Sequence, residues 1–240
     1  GSHDAYLGLR FDRAELENKG LFKIIYILPE GPVELAENTV KLGEYVLKVD
    51  GESLGSDTNL REKLYRKVQR KVMLTVNDKP ELEGAREVAV RPISSGKLDS
   101  LQYKNWVKSN TEYVDKISNG RLGYAHIRSM SYQCYVKFMA DLDAETHSKD
   151  GVVIDVRFNG GGHIASFILD ILHRRSYSQS SYRGIISTSS TNLAGNRILD
   201  KPTIVVLNEH SGSNTEMFSQ GYRRLGLGKL VGVASAGAVI

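Results

Sequence analysis

The sequence predicts a mixed α/β protein, in which a small β-rich domain precedes a larger, layered α/β domain. Before about Pro92, short apolar runs alternate with tight-turn signals, which is typical of a small sheet. From Arg121 onward, strand patterns alternate with helical patterns, and this order favours helices layered on a mixed sheet. Two runs in that part, Gly151–Arg157 and Thr203–Leu207, are nearly continuous in apolar and β-branched residues. We therefore expect both runs to be buried strands.

The boundary between the two domains is predicted after residue 93. Residues 4–93 form the β-rich domain, and residues 94–240 form the α/β domain. Gly1–His3 are interpreted as the remnant of a cleaved purification tag. The last residues, Ala236–Ile240, are small and apolar and lack a polar tail. We therefore expect the chain to be a fragment of a larger protein, truncated at its C-terminus inside a strand.

Four strands are predicted in the β-rich domain, each bounded by turn residues. They cover Leu21–Ile27, Gly43–Gly51, Val72–Asn77 and Glu87–Val90. A short helix is predicted at Val33–Thr39. A second helix is expected after a cap at Asp57 or Thr58, because apolar residues then recur at helical spacing. These residues are Leu60, Leu64 and Val68.

The α/β domain is predicted to begin with a linker at Ser94–Lys97. A helical pattern from Tyr103 to Ile117, a strand at Arg121–Arg128 and a helix at Tyr132–Asp143 follow. Two more helices come directly after the two apolar strands. They are expected at His163–Arg175 and from Met217 onward.

Composition excludes several functional classes. The chain has 240 residues and a formal charge of +4, without a basic tract interleaved with aromatic residues. Nucleic acid is therefore not an expected partner. No apolar run approaches the ~18 residues of a membrane span. Cys134 is the only cysteine, which precludes an internal disulfide. The histidines lack metal-ligand spacing, so we expect neither a metal nor a cofactor.

A serine lies at the point where the strand Thr203–Leu207 gives way to a helix. Ser213 would be presented beside unpaired backbone N–H groups and the positive end of the helix dipole. Both features suit an oxyanion that forms beside a serine nucleophile. The same residues also form a capping box, in which Ser213 caps the helix and Glu216 bonds back to it. This segment alone leaves both interpretations open.

A run of three glycines follows the other buried strand. Gly160, Gly161 and Gly162 allow backbone amides to face a cavity without intervening side chains. A phosphate-binding loop of the Walker type is excluded, because no Lys-Ser/Thr follows the glycines. A dinucleotide fingerprint is excluded because the glycines are contiguous.

Three motifs resemble the tricorn-type branch of the serine peptidases, which also include the C-terminal processing peptidases. They are Val153–Gly162, then Asn208-Glu209-x-x-Gly212-Ser213, then Leu225–Gly232. The resemblance implies a crotonase/Clp-like peptidase domain with Ser213 as the nucleophile. It implies an oxyanion hole made of the backbone N–H groups of Gly162 and Asn214. Gly160, Gly161 and Glu216 would support this site.

The β-rich domain resembles a PDZ domain. Tyr6-Leu7-Gly8-Leu9 is similar to its carboxylate-binding loop, and Gly43–Gly51 matches a second PDZ segment. The resemblance implies a peptide site at Leu7, Gly8 and Leu9, with residues 19–27 as the strand of the groove. Such domains bind a peptide C-terminus by strand addition. A groove that is blocked by the rest of the protein is the alternative.

No general base is evident. C-terminal processing peptidases have a lysine about 25 residues beyond the serine, whereas this chain has Ala238 there. Tricorn-type members use a histidine before the PDZ domain and a glutamate beyond the end of this chain. The resemblance therefore implies a fragment that lacks both groups and is inactive or weakly active alone. His163 and His210 are the local histidines that could approach Ser213.

Asp155 is the ionisable residue of an apolar strand, and a buried aspartate needs partners. Arg157 points to the same face of that strand, because strand side chains alternate with a period of two. We interpret the two residues as a structural pair that supports the glycine loop. His126, on another strand, is expected to be a hydrogen-bonded core residue.

The resemblance implies a serine endopeptidase of the tricorn type that hydrolyses peptides or unfolded polypeptides through an acyl-enzyme. A cytoplasmic homo-oligomer is implied for the full-length protein, with export left open by the altered N-terminus. One alternative is a C-terminal processing peptidase with a Ser/Lys pair. The other is a catalytically dead peptide-binding scaffold.

Overall fold

A computed structural model describes residues 3–37, 39–146, 148–177 and 201–239. It also describes four short pieces of the remainder, at 179–181, 183–184, 188–189 and 199. The chain divides into two compact units, Gly1–Trp106 and Val107–Ile240. In the described residues, no helix is both long and apolar enough to cross a membrane.

The first unit is built on an antiparallel sheet. Its strands are β1 (Leu9–Phe11), β2 (Phe22–Ile27), β3 (Tyr45–Val49), β4 (Glu52–Ser53), β5 (Val72–Asn77) and β6 (Arg86–Val90). The strand order is β1-β2-β3-β5-β6, and β4 pairs with β3. Its short helices are α1 (Arg13–Lys19) and α2 (Leu60–Lys63). Alternate side chains of β5 and β6 are fully buried, which fixes the register of this edge of the sheet.

Three details of this unit differ from the sequence prediction. Residues 33–37 form successive turns and not a helix, and α2 ends at Lys63 before the predicted Val68. These segments are too short for helix formation to be favourable without packing along their length. The strand β2 lies between β1 and β3, so residues 19–27 do not provide an open edge. The edge strands in the described part of this sheet are β1 and β6.

A helix of 23 residues, α3 (Ser95–Ile117), follows the sheet. Ser95–Lys97, predicted as a linker, form its first turn. The hydroxyl of Ser94 accepts the Lys97 N–H at 3.4 Å, as a capping residue does. The division between the two compact units falls inside this helix, after Trp106. The domain boundary at residue 93 stays a prediction.

The second unit contains a four-stranded sheet in the order β12-β11-β8-β7. Its elements are β7 (Leu122–His126), α4 (Tyr132–Thr146), β8 (Gly151–Asp155), α5 (Ala165–His173), β11 (Thr203–Leu207), α6 (Asn214–Arg224) and β12 (Gly228–Gly232). A short antiparallel pair, β9 (Gln179–Ser180) with β10 (Thr188–Ser189), lies outside this sheet. The four described strands are all parallel, so the prediction of a mixed sheet is wrong for them. Helical crossovers between successive strands produce this parallel arrangement.

Both predicted apolar strands are buried in the centre of this sheet. Every residue of β8 is buried, and Ile154 and Val205 are fully inaccessible to solvent. Helices α4, α5 and α6 supply the rest of this core, which includes Phe138, Ile168 and Phe218. The buried sheet holds the carboxyl ends of four parallel strands at one edge, where α/β proteins place their ligands.

Candidate active site

Four loops meet at the carboxyl edge of the parallel sheet. They follow β7, β8, β11 and β12, and cover residues 127–130, 156–162, 208–213 and 233–239. The pairing of Asp155 with both His126 and Val206 aligns three of the strand ends. The loops are therefore brought together by the register of the sheet and not by their proximity in sequence.

Ser213 has an unusual backbone conformation at the entrance to α6. Its φ is 53° and its ψ is −123°, a region that non-glycine residues rarely occupy. Such strain persists only where the surroundings hold it, and it concentrates at functional sites. Ser213 is exposed, whereas the neighbouring Gly212 is buried. The strand-to-helix turn thus presents the serine to solvent on a fixed backbone.

The glycine loop packs directly against this serine. Gly161 has φ +107°, and a Cβ atom at this position would lie 2.7 Å from the Cβ of Ser213. Gly162 has φ +147°, and a Cβ there would lie 2.1 Å from the carbonyl oxygen of Met130. Both positions therefore require glycine, for conformation and for space. Gly160 has neither constraint, because a Cβ atom there meets nothing within 4 Å.

The loop after β7 holds the glycine loop from the other side. The N–H of Met130 donates to the carbonyl oxygen of Gly161 at 2.9 Å, and the N–H of His163 donates to that of Met130 at 2.8 Å. Met130 is fully buried in the core. The glycines are thus fixed by a buried side chain and two backbone hydrogen bonds.

Of the two predicted oxyanion-hole residues, Asn214 directly follows Ser213, and Gly162 directly follows Gly161, which packs against Ser213. The N–H groups of Gly162 and Asn214 donate to no acceptor within the described ranges of the chain. Asn214 is the first residue of α6, where the N–H is unpaired in any helix and the dipole is positive. Its side-chain oxygen accepts the Ala165 N–H of α5 at 3.0 Å. This bond ties together the first turns of the two helices.

Glu216 anchors the loop after β12 to the serine turn. Its carboxylate accepts five hydrogen bonds, which come from one side chain and four backbone N–H groups. The donors are the Ser213 N–H at 2.7 Å, the Ser235 hydroxyl at 2.8 Å, and the N–H groups of Gly237 at 2.7 Å, Ala238 at 3.1 Å and Val239 at 3.1 Å. The carboxylate half of the predicted capping box is therefore present. The same group also fixes a second loop.

These contacts determine the ionisation of Glu216. Desolvation by burial raises the pKa of its carboxyl group, but hydrogen bonds from Ser235 and from the N–H groups of Ser213, Gly237 and Ala238 outweigh this effect. The pKa therefore lies below its ordinary value. Glu216 is a carboxylate at neutral pH, which suits an acceptor and not a general acid.

Asp155 and Arg157 form the predicted ion pair beneath the loops. Arg157 donates from Nη2 to the buried Asp155 carboxylate at 2.6 Å, and its backbone N–H donates to the same group at 2.9 Å. The hydroxyl of Tyr124 donates to Asp155 at 2.7 Å. Burial, followed by the Asp155 charge, raises the pKa of Tyr124. The pair is confirmed, and it is satisfied by hydrogen bonds as a buried carboxylate requires.

His126 is a hydrogen-bonded core residue, as predicted. Its Nε2 atom lies 2.9 Å from the carbonyl oxygen of Arg157, and the ring is buried. Burial lowers the pKa of the imidazole, which keeps it neutral at physiological pH. This buried ring therefore supports the loop after β8 and is not available to a substrate in solvent.

Neither of the local histidines is joined to Ser213. His210 is exposed, stacks on Phe158 with ring centroids 5.5 Å apart, and lies 3.7 Å from a Glu209 carboxylate oxygen. His163 is exposed at the end of the glycine loop. In the part of the chain that the structure describes, no hydrogen bond connects either ring to the serine. Within the described residues, neither histidine is therefore placed as a base for Ser213.

The predicted peptide loop of the first unit lines a cavity of about 210 Å³. Leu7 is buried and Gly8 has φ +71°, as a tight loop requires. Leu9 begins β1. Leu60 of α2 and Leu64, which directly follows this helix, also line the cavity. The three predicted residues therefore meet at one apolar cavity beside the edge strand β1. Whether they bind peptide stays a prediction.

Comparison with known proteins identifies the family. Residues 121–240 match the family described as Peptidase family S41, and residues 30–95 match the one described as Tricorn protease PDZ domain. The chain belongs to peptidase family S41. These matches confirm the resemblance inferred from the motifs.

Similar proteins place this S41 chain in the tricorn branch. It is 30% identical to the Tricorn protease of Thermoplasma volcanium over 88% of the chain, and to Tricorn protease homolog 1 of Streptomyces coelicolor over its whole length. Its fold matches the crystal structure of the tricorn protease with a TM-score of 0.75, at 23% identity over 99% of the chain. This match confirms the predicted fold class. The chain spans about a fifth of the length of these relatives, at 20%, 22% and 23%.

Sequence analysis missed a buried polar network that joins three loops of the S41 domain. Asn159 donates to the Ile127 carbonyl oxygen at 2.8 Å and accepts the Gly161 N–H at 3.0 Å. Asn208 accepts the Phe158 N–H at 3.0 Å, and Ser211 donates to the Val156 carbonyl oxygen at 2.8 Å. The available signal was the presence of short polar residues directly after two buried strands. Their partners lie up to 55 residues away, which no local pattern reveals.

Proposed function

We propose that this chain carries the nucleophile and the oxyanion hole of a tricorn-type serine endopeptidase. The observation that supports this proposal most directly is the strained, exposed Ser213 in contact with the glycine loop. The backbone N–H groups of Gly162 and Asn214 have no acceptor in the described part of the chain, and we propose that both point toward the oxyanion. That arrangement matches the requirements of acyl transfer, in which developing negative charge must be stabilised beside the nucleophile.

In the proposed reaction, the Ser213 hydroxyl oxygen attacks the carbonyl carbon of the scissile peptide bond. Its proton passes to a general base, and the carbonyl oxygen becomes an oxyanion that accepts from the Gly162 and Asn214 N–H groups. Collapse of this intermediate breaks the C–N bond and leaves an acyl-enzyme on Ser213. Water then attacks the ester, releases the acyl fragment and restores the serine. Gly161 and Glu216 hold the backbone in place, whereas Gly160 has no comparable constraint.

The general base is proposed to come from outside this chain. Ala238 occupies the position where a Ser/Lys enzyme carries its lysine, and its N–H is bonded to Glu216. Neither His163 nor His210 forms a hydrogen bond to the serine in the described structure. We therefore propose that the full-length protein supplies a histidine before the PDZ domain and a glutamate after residue 240. The isolated chain is expected to be inactive or weakly active.

Active-site labelling tests this proposal. The full-length protein and this chain are treated with a fluorophosphonate, and the modified residue is mapped by mass spectrometry. Labelling of Ser213 in the full-length protein, abolished in Ser213→Ala, is the expected result. Rapid labelling of the isolated chain as well would place a base within it. An unlabelled full-length protein would contradict the mechanism and favour the peptide-binding scaffold.

The proposed substrates are peptides or unfolded polypeptides, because an endopeptidase must bind an extended backbone beside Ser213. We also propose that the full-length protein is a cytoplasmic homo-oligomer, as the tricorn resemblance implies. The loop at Leu7, Gly8 and Leu9 is proposed to bind a peptide C-terminus along β1. No metal or cofactor takes part in the proposed reaction.

A further inference from the structure

An aromatic patch lies on the surface of the second unit, between α4 and α5. It consists of Tyr132, Tyr135, Val136 and Phe167. Tyr132 is 63% exposed, Val136 50% and Phe167 53%. Contiguous apolar groups on a protein surface commonly mark an interaction site. The described fold leaves this patch open, although its residues would be favourable in a core.

The rings of the patch form a continuous row. The Tyr132 and Tyr135 centroids are 6.2 Å apart with their planes tilted by 35°, and the Tyr135 and Phe167 centroids are 6.0 Å apart with a tilt of 52°. Tyr135 is half-buried and packs on the core of the unit. It therefore acts as a fixed centre between two exposed rings. A preformed aromatic surface of this kind contacts an apolar group at low entropic cost.

Both ends of this row are connected to the proposed oxyanion hole. Tyr132 follows Met130 by two residues, and the backbone of Met130 bonds to Gly161 and His163. Phe167 follows Ala165 by two residues, and the Ala165 N–H bonds to the Asn214 side chain. The patch is thus linked through two separate helices to the neighbours of Gly162 and to Asn214.

We propose that the aromatic patch is a substrate subsite that binds a large apolar side chain next to the scissile bond. This inference rests on the proposed peptidase function and assigns its specificity. A polypeptide acylating Ser213 must pass over the adjoining loops, and its neighbouring side chains then meet the patch. The contact would be made in the transition state as well as in the bound complex. It therefore raises kcat/KM for substrates that carry a large apolar residue next to the cleaved bond.

The surroundings of the patch fit an uncharged side chain. Residues 129–136 and 164–169 contain no aspartate, glutamate, lysine or arginine, and the charged residues that follow, Lys137 and Asp170, form ion pairs with Asp141 and Arg174. A charged substrate side chain would be desolvated there without a partner, which is unfavourable. A second copy of this chain is a poorer fit. A stable protein interface takes roughly 20–30 residues a side, whereas the patch has four side chains.

Substrate selectivity of the full-length protein tests the subsite. Two quenched fluorescent peptide libraries are compared, which carry either phenylalanine or glutamine at both positions flanking the cleaved bond. The variants are Tyr132→Ser and Phe167→Ser, which lie on different helices. Tyr113→Ser is the matched control, because Tyr113 is 62% exposed on α3 and outside the patch. Each protein is also labelled with a fluorophosphonate and weighed by native mass spectrometry.

The ratio of kcat/KM for the phenylalanine library over the glutamine library is expected to fall roughly tenfold in both patch variants. It should stay constant in Tyr113→Ser, with the rate of Ser213 labelling unchanged throughout. An unchanged ratio with intact labelling would overturn the subsite while leaving the peptidase function in place. A dissociated assembly with an unchanged ratio would also overturn it and assign the patch to contact between copies. Failure of Ser213 to react in the unaltered protein would refute the proposed function itself.

Discussion

Removing the Glu216 carboxylate should release the loop after β12 from the serine turn. In Glu216→Ala, the N–H groups of Gly237, Ala238 and Val239 lose their acceptor. Residues 236–239 are exposed, so water can replace these bonds. We therefore assign about 1 kcal/mol to each of the three amides, the net value of an ordinary hydrogen bond. The expected cost of the substitution to this loop is about 3 kcal/mol.

Amide hydrogen exchange measures this loss directly. Since 1.4 kcal/mol corresponds to a tenfold change in an equilibrium, opening of residues 237–239 should become about a hundredfold more frequent. Glu216→Gln keeps the size of the side chain but turns one acceptor into a donor, and it should accelerate exchange by a smaller factor. Glu209→Gln is the control, because Glu209 is exposed and contacts only His210 among the ion pairs described.

Unchanged exchange at residues 237–239 in Glu216→Ala would refute this account. The segment would then be held by other contacts, of which the bond from the Ala236 N–H to the Ser211 carbonyl oxygen is the nearest candidate. Faster exchange throughout the domain would also contradict it, since that result indicates global unfolding and not local release.

Three further outcomes are expected. Gly161→Ala should abolish fluorophosphonate labelling of the full-length protein, because its Cβ would collide with the serine, whereas Gly160→Ala should label normally. Asp155→Ala should lower the free energy of unfolding, measured by urea denaturation, by roughly 3–5 kcal/mol, because it leaves Arg157 without its buried partner. A loss below 1 kcal/mol would refute the structural role of this ion pair. Glu216 has a lowered pKa in the folded state, so its contribution is present above about pH 4.5 and disappears as the pH falls through the folded pKa. Exchange at residues 237–239 should therefore accelerate in acid, and Glu216→Gln should remove this dependence.

The parallel core could be predicted because its strands have a strong local signature. The run at Gly151–Asp155 is buried throughout as expected, the run at Thr203–Leu207 is buried at Thr203 and Val205 and partly buried elsewhere, and the period of two placed Asp155 and Arg157 on one face. The strand orientation could not be obtained in the same way, because it depends on where the connecting helices pack. Residues 33–37 of the helix predicted at Val33–Thr39 form turns and bends for a related reason, since so short a segment is not stable as a helix unless it packs along its length.

The candidate site was only partly readable from sequence. Ser213 and the glycines stand out, since few folds need three consecutive glycines after a buried strand. The contacts of Met130 with that loop, and those of Glu216 with residues 237–239, join segments that are 21 to 33 residues apart. Such contacts are determined by the three-dimensional arrangement of strands, which composition and periodicity do not encode.

The donors beside Ser213 are main-chain groups, and this has a consequence for how the site can evolve. No substitution other than proline at Asn214 or Gly162 deletes a backbone N–H. Drift of the surrounding side chains therefore leaves the donors in place as long as the glycines and the strand register are kept. Relatives with about 30% identity can differ at most positions and still inherit this pair of amides with the fold.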